Sequence, residues 1–227
     1  MPRVVVLGCG TAVGKTRVSV ALLRALTQQG IPNLGLKPIE SGIAGATTDA
    51  DALGSAGSVH PKGPHPLYAF RDAVSPHLAA RIEGRQIDIR RVSQWVSETE
   101  RDMALLIPSH MAISWSVVET AGGVFSPLGA DASNFDLAKA LDPAIWILVA
   151  ADALGVLHDV SATLQAMRAS GRAPDHLVLC GARAPDASTG SNATELETLG
   201  IATPSAVLAR DDDSGITQLV DRLLASG

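Results

Sequence analysis

The chain has 227 residues, 46% hydrophobic and 18% charged, with a net charge of -5; that length can bury a substantial core, which excludes a disordered chain. Phe, Trp and Tyr together make up only 3%, so the core must be aliphatic and the mixed basic and aromatic surface of a nucleic-acid binder is excluded. Cys9 and Cys180 have no metal-ligand spacing and no disulfide framework is indicated, so a reducing, cytoplasmic setting is expected. The N-terminal MPRVVVLGCG lacks a signal-peptide pattern, and no apolar run nears the roughly 20 residues of a membrane span. Neither nucleic acid nor membrane is expected as a partner.

In chain order, the first strand, Arg3 to Leu7, runs into GCGTAVGKT, Gly8 to Thr16. A helix follows, with Val18, Ala21, Leu22, Ala25 and Leu26 on one face and Gly30 as its stop. A glycine-rich turn between strand and helix is a phosphate site. The N–H groups of Ala12, Val13, Gly14, Lys15 and Thr16 are expected to face the phosphates, with Lys15 reaching the β and γ oxygens and the Thr16 hydroxyl serving Mg2+. The loop is a variant, because Cys9 stands where the usual G-x-x-x-x-G-K-[ST] pattern has Gly. It implies a nucleotide without deciding the reaction.

The second strand, Leu34 to Leu36, ends in GLKPIESG, which puts Lys37 and Ser41 at the carboxyl edge where parallel α/β sheets bind ligands. A second lysine matters, since phosphoryl transfer to an anionic oxygen needs positive charge on both partners. Ile43 to Pro66 carries little period beyond a turn around Asp51 to Gly54 and reads as a mobile loop over the site. Ser75 and Pro76 open a short helix that closes at Gly84. Trp115 to Glu119 is a strand that delivers the Glu119 carboxylate to the ligand edge, beside any Mg2+, and is followed by TAGGVFSPL.

Ala144 to Ala150 reads as a central strand buried on both faces. Leu157, Val160, Leu164 and Met167 mark a helix ended by Gly171, His176 to Cys180 a further strand, and Ser205 to Leu208 a weaker last one. The alternation predicts an α/β fold of the P-loop NTPase type, a mostly parallel sheet with helices on both faces, in one domain over residues 1–227.

Five motifs in order, GCGTAVGKT, KPIESG, Asp51-Ala52-Leu53, SPHLAARIEG and VETAGGVFSPL, resemble those of dethiobiotin synthetases. The resemblance spans residues 3 to about 171. It implies a reaction in which CO2 adds to one amine of 7,8-diaminononanoate, the carbamate attacks the γ-phosphate of ATP, and the second amine closes a cyclic urea. Carried over by position, it places Thr11, Lys15 and Lys37 around the reacting groups and Ser41 at the substrate. Thr16, Asp51 and Glu119 fall around Mg2+, with Asp49 a rival to Asp51. Arg17 and Glu119 join the nucleotide site, and Cys180, Gly181, Pro204, Ser205 and Ala206 fall at the base. It also implies a homodimer with shared sites, in which Gly155, Val156, Leu157 and His158 of one chain hold the substrate carboxylate in the other.

Three departures stand out. Gly10 and Ala12 replace an acidic pair, Thr120 replaces a glycine, and Cys180 replaces an asparagine that reads the purine edge; a thiol is a weak donor and acceptor. Two other classes share the phosphate loop. A P-loop amide-forming ligase with a fused glutaminase is expected to need a longer chain. A partition-type ATPase predicts an extra loop lysine, which Gly8 to Gly14 does not contain, and a basic or amphipathic tail, where DDDSGITQLVDRLLASG begins acidic.

Overall fold

The computed structural model describes residues 2–43, 47–61, 63, 65–105 and 114–225. Eight strands and eight helices alternate along them: β1 (Arg3–Gly8), α1 (Lys15–Gln28), β2 (Asn33–Leu36), β3 (Ile39–Ser41), α2 (Asp49–Ala56), β4 (Tyr68–Phe70), α3 (Pro76–Ile82), α4 (Ile89–Ala104), β5 (Trp115–Glu119), α5 (Asn134–Ala140), β6 (Ile145–Asp152), α6 (Val156–Ala169), β7 (His176–Gly181), α7 (Asn192–Thr198), β8 (Ala206–Leu208) and α8 (Gly215–Ala225). Six strands form a sheet in the order β2-β5-β1-β6-β7-β8, and every neighbouring pair is parallel. β3 and β4 pair separately, also in parallel.

The sheet is buried on both faces because its strands are mostly apolar on both sides rather than at alternate positions, with Asn33, Ser116 and Glu119 among the buried polar exceptions. Val4 and Val6 pack with α1, α2 and α8 through Val18, Leu22, Leu53 and Leu219. Val5 and Leu7 point the other way, into Val96, Leu137, Val160 and Leu196 of α4 to α7. The expected P-loop NTPase-type architecture is therefore present, and Ala144 to Ala150 lies at its centre, between β1 and β7.

The stretch from Ile43 to Pro66 departs from the loop reading. Residues 44–46, 62 and 64 lie outside the described residues, but Asp49–Ala56 is a helix. Thr48 caps it, its hydroxyl accepting from the Asp51 N–H at 3.0 Å while the Asp51 carboxylate accepts from the Thr48 N–H at 3.1 Å. Helix α4 was absent from the sequence reading, although its buried Val92, Val96, Thr99 and Met103 fall at helical spacing behind the Asp88 cap. In α3, Ser75 and Pro76 open the helix as expected, but the Ser75 hydroxyl turns to His77 Nδ1 at 3.0 Å and caps no backbone N–H.

Candidate functional site

Because all six strands run the same way, their carboxyl ends share one edge of the sheet, and a cleft of about 390 Å³ opens there beyond β1, β2, β5, β6 and β7. The loop between β1 and α1 forms its floor, with Thr11, Ala12, Val13, Gly14, Lys15, Thr16 and Arg17 all lining it. The N–H groups of Ala12, Val13 and Gly14 have no acceptor among the described residues. Such a row of donors at a helix start suits phosphate oxygens. Lys15 Nζ donates to Gly10 O at 3.1 Å, and burial lowers its pKa to about 8.

Gly14 has φ +97°, and a Cβ there would lie 2.3 Å from Cys180 Sγ. Only glycine allows both that backbone angle and that close approach. Cys180 therefore packs beneath the phosphate loop at the end of β7. Burial raises its pKa, and the thiol bonds Arg17. Gly181 has a parallel role, since a Cβ there would lie 2.6 Å from Arg210 N; it lets the turn after β8 close on the cleft wall. Arg17 fastens that turn from below, donating to Asp213 Oδ1 at 2.6 Å and to the carbonyls of Ala209 and Asp212.

β2 delivers Lys37 to the cleft, where it is 6% exposed. Its Nζ donates to Glu119 Oε1 at 2.8 Å and pairs with Asp49. Glu119, at the end of β5, has no exposed surface. Its Oε1 also accepts from Thr16 Oγ1 at 2.9 Å, and its Oε2 accepts from Ser19 Oγ at 3.0 Å. Burial opposes the charge on Lys37, but Glu119 and Asp49 outweigh it and raise the pKa. The ammonium is thus held at the centre of the cleft, between two carboxylates and beside the phosphate loop.

Asp51, the expected metal ligand, does not reach this cleft. It is exposed and bound to Thr48, whose hydrogen bonds hold its carboxyl below the usual range. Its rival Asp49 lines the cleft instead. The N3 acid of a capping box folds back on its own N-cap, which leaves the N1 acid to point outward. Pro204, Ser205 and Ala206 are likewise misplaced. Ala206 pairs with Val178 and Leu208 with Cys180, so residues 204–206 lie at the amino end of β8, on the edge away from the cleft. At the other end of β8, the turn from Ala209 to Asp213 follows the strand's carboxyl end and packs against Gly181 through Arg210.

Ser41 lines the cleft, its hydroxyl donating to Val74 O at 2.7 Å. Gly155, Val156, Leu157 and His158 open α6 but are not part of their own chain's cleft. Thr120, where the resemblance has glycine, fits without strain: its φ is not positive, and its hydroxyl donates to Val6 O at 3.1 Å. Sequence reading missed Glu40, Ser19 and Arg183, which are respectively cleft wall, Glu119 partner and cleft wall.

His65 ties this region to pH. Its Nε2 accepts from the Lys37 N–H at 2.9 Å, which only a neutral ring can do, and burial lowers its pKa from 6.5 to about 4. A depressed pKa means that the unfolded chain takes up the proton first, so stability is complete above about 6.5 and is lost as pH falls toward 4. Denaturant melts at pH 7 and pH 5 should differ by about 1 kcal/mol from this group, the full linkage of roughly 2 kcal/mol being reduced for its partial exposure. A His65→Gln variant should show a flatter profile across that window; an unchanged profile would remove His65 as the cause.

A family model described as an AAA domain matches residues 2–210. The ATP-dependent dethiobiotin synthetase BioD of Anaeromyxobacter dehalogenans is 36% identical over 212 residues, covering 92% of this chain and 90% of that one. The chain belongs to the dethiobiotin synthetase family. The Serratia marcescens synthetase of the same name is 33% identical over 172 residues, covering 73% of this chain and 71% of that one. Among solved structures, the MinC:MinD cell division protein complex of Aquifex aeolicus superposes with a TM-score of 0.53 at 12% identity, over 99% of this chain and 96% of that one. A ParA family ATPase from Chlorobium tepidum gives 0.52 at 12%, over 100% and 93%. At such identity these two show a shared fold only. The family assignment rests on the synthetases. No helix among the described residues is long and apolar enough to cross a membrane.

Proposed function

We propose that this chain, acting as one domain, joins CO2 to 7,8-diaminononanoate with ATP and Mg2+, giving dethiobiotin, ADP and phosphate. The observation that carries the reading is the Lys37 ammonium, buried between Glu119 and Asp49 beside the phosphate loop. A substrate-borne carbamate arrives as an anion, so the protein must supply positive charge and alignment, and needs no nucleophile of its own. Lys15 and the loop N–H groups neutralise the γ-phosphate, Lys37 neutralises the carbamate as it attacks, and Thr11 and Ser41 orient the reacting groups at the cleft wall. The all-oxygen set of Thr16, Glu119 and Asp49 fits Mg2+, which keeps most of its waters and takes only one or two carboxylates. When bound there it would offset charge on the phosphates.

The direct test is to supply the diamine, bicarbonate and MgATP and to weigh the product. Dethiobiotin and phosphate formed in equal amounts support the reading. Phosphate release that ignores both diamine and bicarbonate overturns it in favour of a switch ATPase.

Base selection should be weak, since Cys180 lies against Gly14 and its thiol is a poor reader of a purine edge. Binding of ATP, GTP and CTP is expected to fall within about a hundredfold, the range reached by sites without a directed hydrogen-bond reader. A preference of thousands for ATP would place a reader elsewhere on the wall.

We also propose a cytoplasmic homodimer. Leu154 is 84% exposed and the Gly155 to His158 turn stands outside its own cleft, which suits binding the substrate carboxylate in a partner's site through the positive start of α6. Mixing a Lys37→Ala chain with a Gly155→Pro chain should restore activity, because one site of each hybrid is intact. A mixed dimer that forms and stays inactive, or an active monomer, rules the shared site out.

A further inference from the structure

Glu40 occupies a variable place in the KP-x-x-SG pattern, yet it is only 8% exposed. Its Oε1 accepts from the Asp49 N–H at 2.8 Å and its Oε2 from the Ala50 N–H at 2.9 Å. These are the first two N–H groups of α2, and the third goes to Thr48. A helix leaves its leading N–H groups without internal partners and carries positive charge at that end, so a buried carboxylate there binds firmly. The bond runs from β3 across the segment 42–48 and holds the first residue of α2 in place. That residue is Asp49, whose carboxylate meets Lys37, and Lys37 meets Glu119.

We propose that Glu40 is a positioning residue: it fixes the start of α2 so that Asp49 stands in register with Lys37 and Glu119 at the metal and phosphate end of the cleft. This deepens the proposed function and rests on it for the identity of the metal, but the test does not require turnover. ATP affinity is measured by calorimetry with Mg2+ and with EDTA, and the ratio of the two is the coupling between metal and nucleotide. Glu40→Gln keeps the shape but replaces one acceptor by a donor. It should reduce the coupling about tenfold, the scale on which groups behind a metal ligand act, while affinity in EDTA stays nearly unchanged. Asp49→Asn should do the same, and the double variant should be no worse than Asp49→Asn alone.

Asp88→Ala, which strips a carboxylate from the start of α4, should lower the melting temperature and leave the coupling intact. Additive effects of the Glu40 and Asp49 changes, or normal coupling in either single variant, overturn the proposal. If Glu40→Gln does not fold, normal coupling in Asp49→Asn alone is enough to overturn it. Failure to make dethiobiotin with normal coupling losses would instead overturn the proposed reaction and leave the role of Glu40 standing.

Discussion

Replacing Lys37 by Ala is expected to lower turnover by roughly a thousandfold or more, the scale on which charge at a developing anion acts, while ATP affinity in saturating Mg2+ changes by only a few fold. Lys15 and the loop N–H groups hold the phosphates, whereas Lys37 is needed once the carbamate attacks. The substitution has a structural side, because it leaves Glu119 and Asp49 facing each other without the ammonium. Breaking a buried ion pair on one side costs about 3–5 kcal/mol, so melting temperatures must accompany the kinetics. Arg does not substitute: its planar fork cannot fit the point contact that Lys37 makes between two carboxylates. Nucleotide affinity and product formation, measured side by side on folded protein, decide the matter. A loss confined to affinity would make Lys37 a nucleotide ligand only.

The second large effect concerns the carboxylates. Asp49→Asn and Glu119→Gln should each raise the Mg2+ concentration needed for half-maximal rate by about ten- to a hundredfold, as expected for groups at or just behind a metal. Asp51→Asn should leave that requirement unchanged and only loosen the start of α2, since its carboxylate is spent on Thr48. Glu119→Gln has a further consequence. Its carboxylate accepts hydrogen bonds from Thr16, Lys37 and Ser19 at once, and an amide, with a single acceptor oxygen, cannot accept from all three in this geometry. It should therefore destabilise the fold more than Asp49→Asn. A Mg2+ titration of rate across the three variants separates them. If only Asp51→Asn shifts, the geometry of α2 in the working enzyme differs from the one described.

The positions of Asp51 and of Pro204 to Ala206 away from the cleft were legible from rules about local structure. Thr48 and Asp51 stand at capping-box spacing, and the box consumes its own fourth residue, which leaves Asp49 as the free acid. Pro204 to Ala206 precede or open a strand that had to be parallel, and a parallel strand offers only its carboxyl end to the ligand edge.

The sequence by itself determined the layer order, the phosphate loop and the arrival of Lys37 and Glu119 at one edge. Short, largely apolar runs rich in β-branched residues, set between helical segments, read as strands buried on both faces, and parallel strands bring their ends together whatever their order in the sheet. Only the tertiary structure decided which side chains meet. Glu40 is joined to Asp49, Ser19 to Glu119 and Cys180 to Gly14, contacts between residues up to 166 positions apart in the case of Cys180 and Gly14. Such pairings depend on the register of neighbouring strands and the depth at which each helix packs, and no local pattern of residues encodes either.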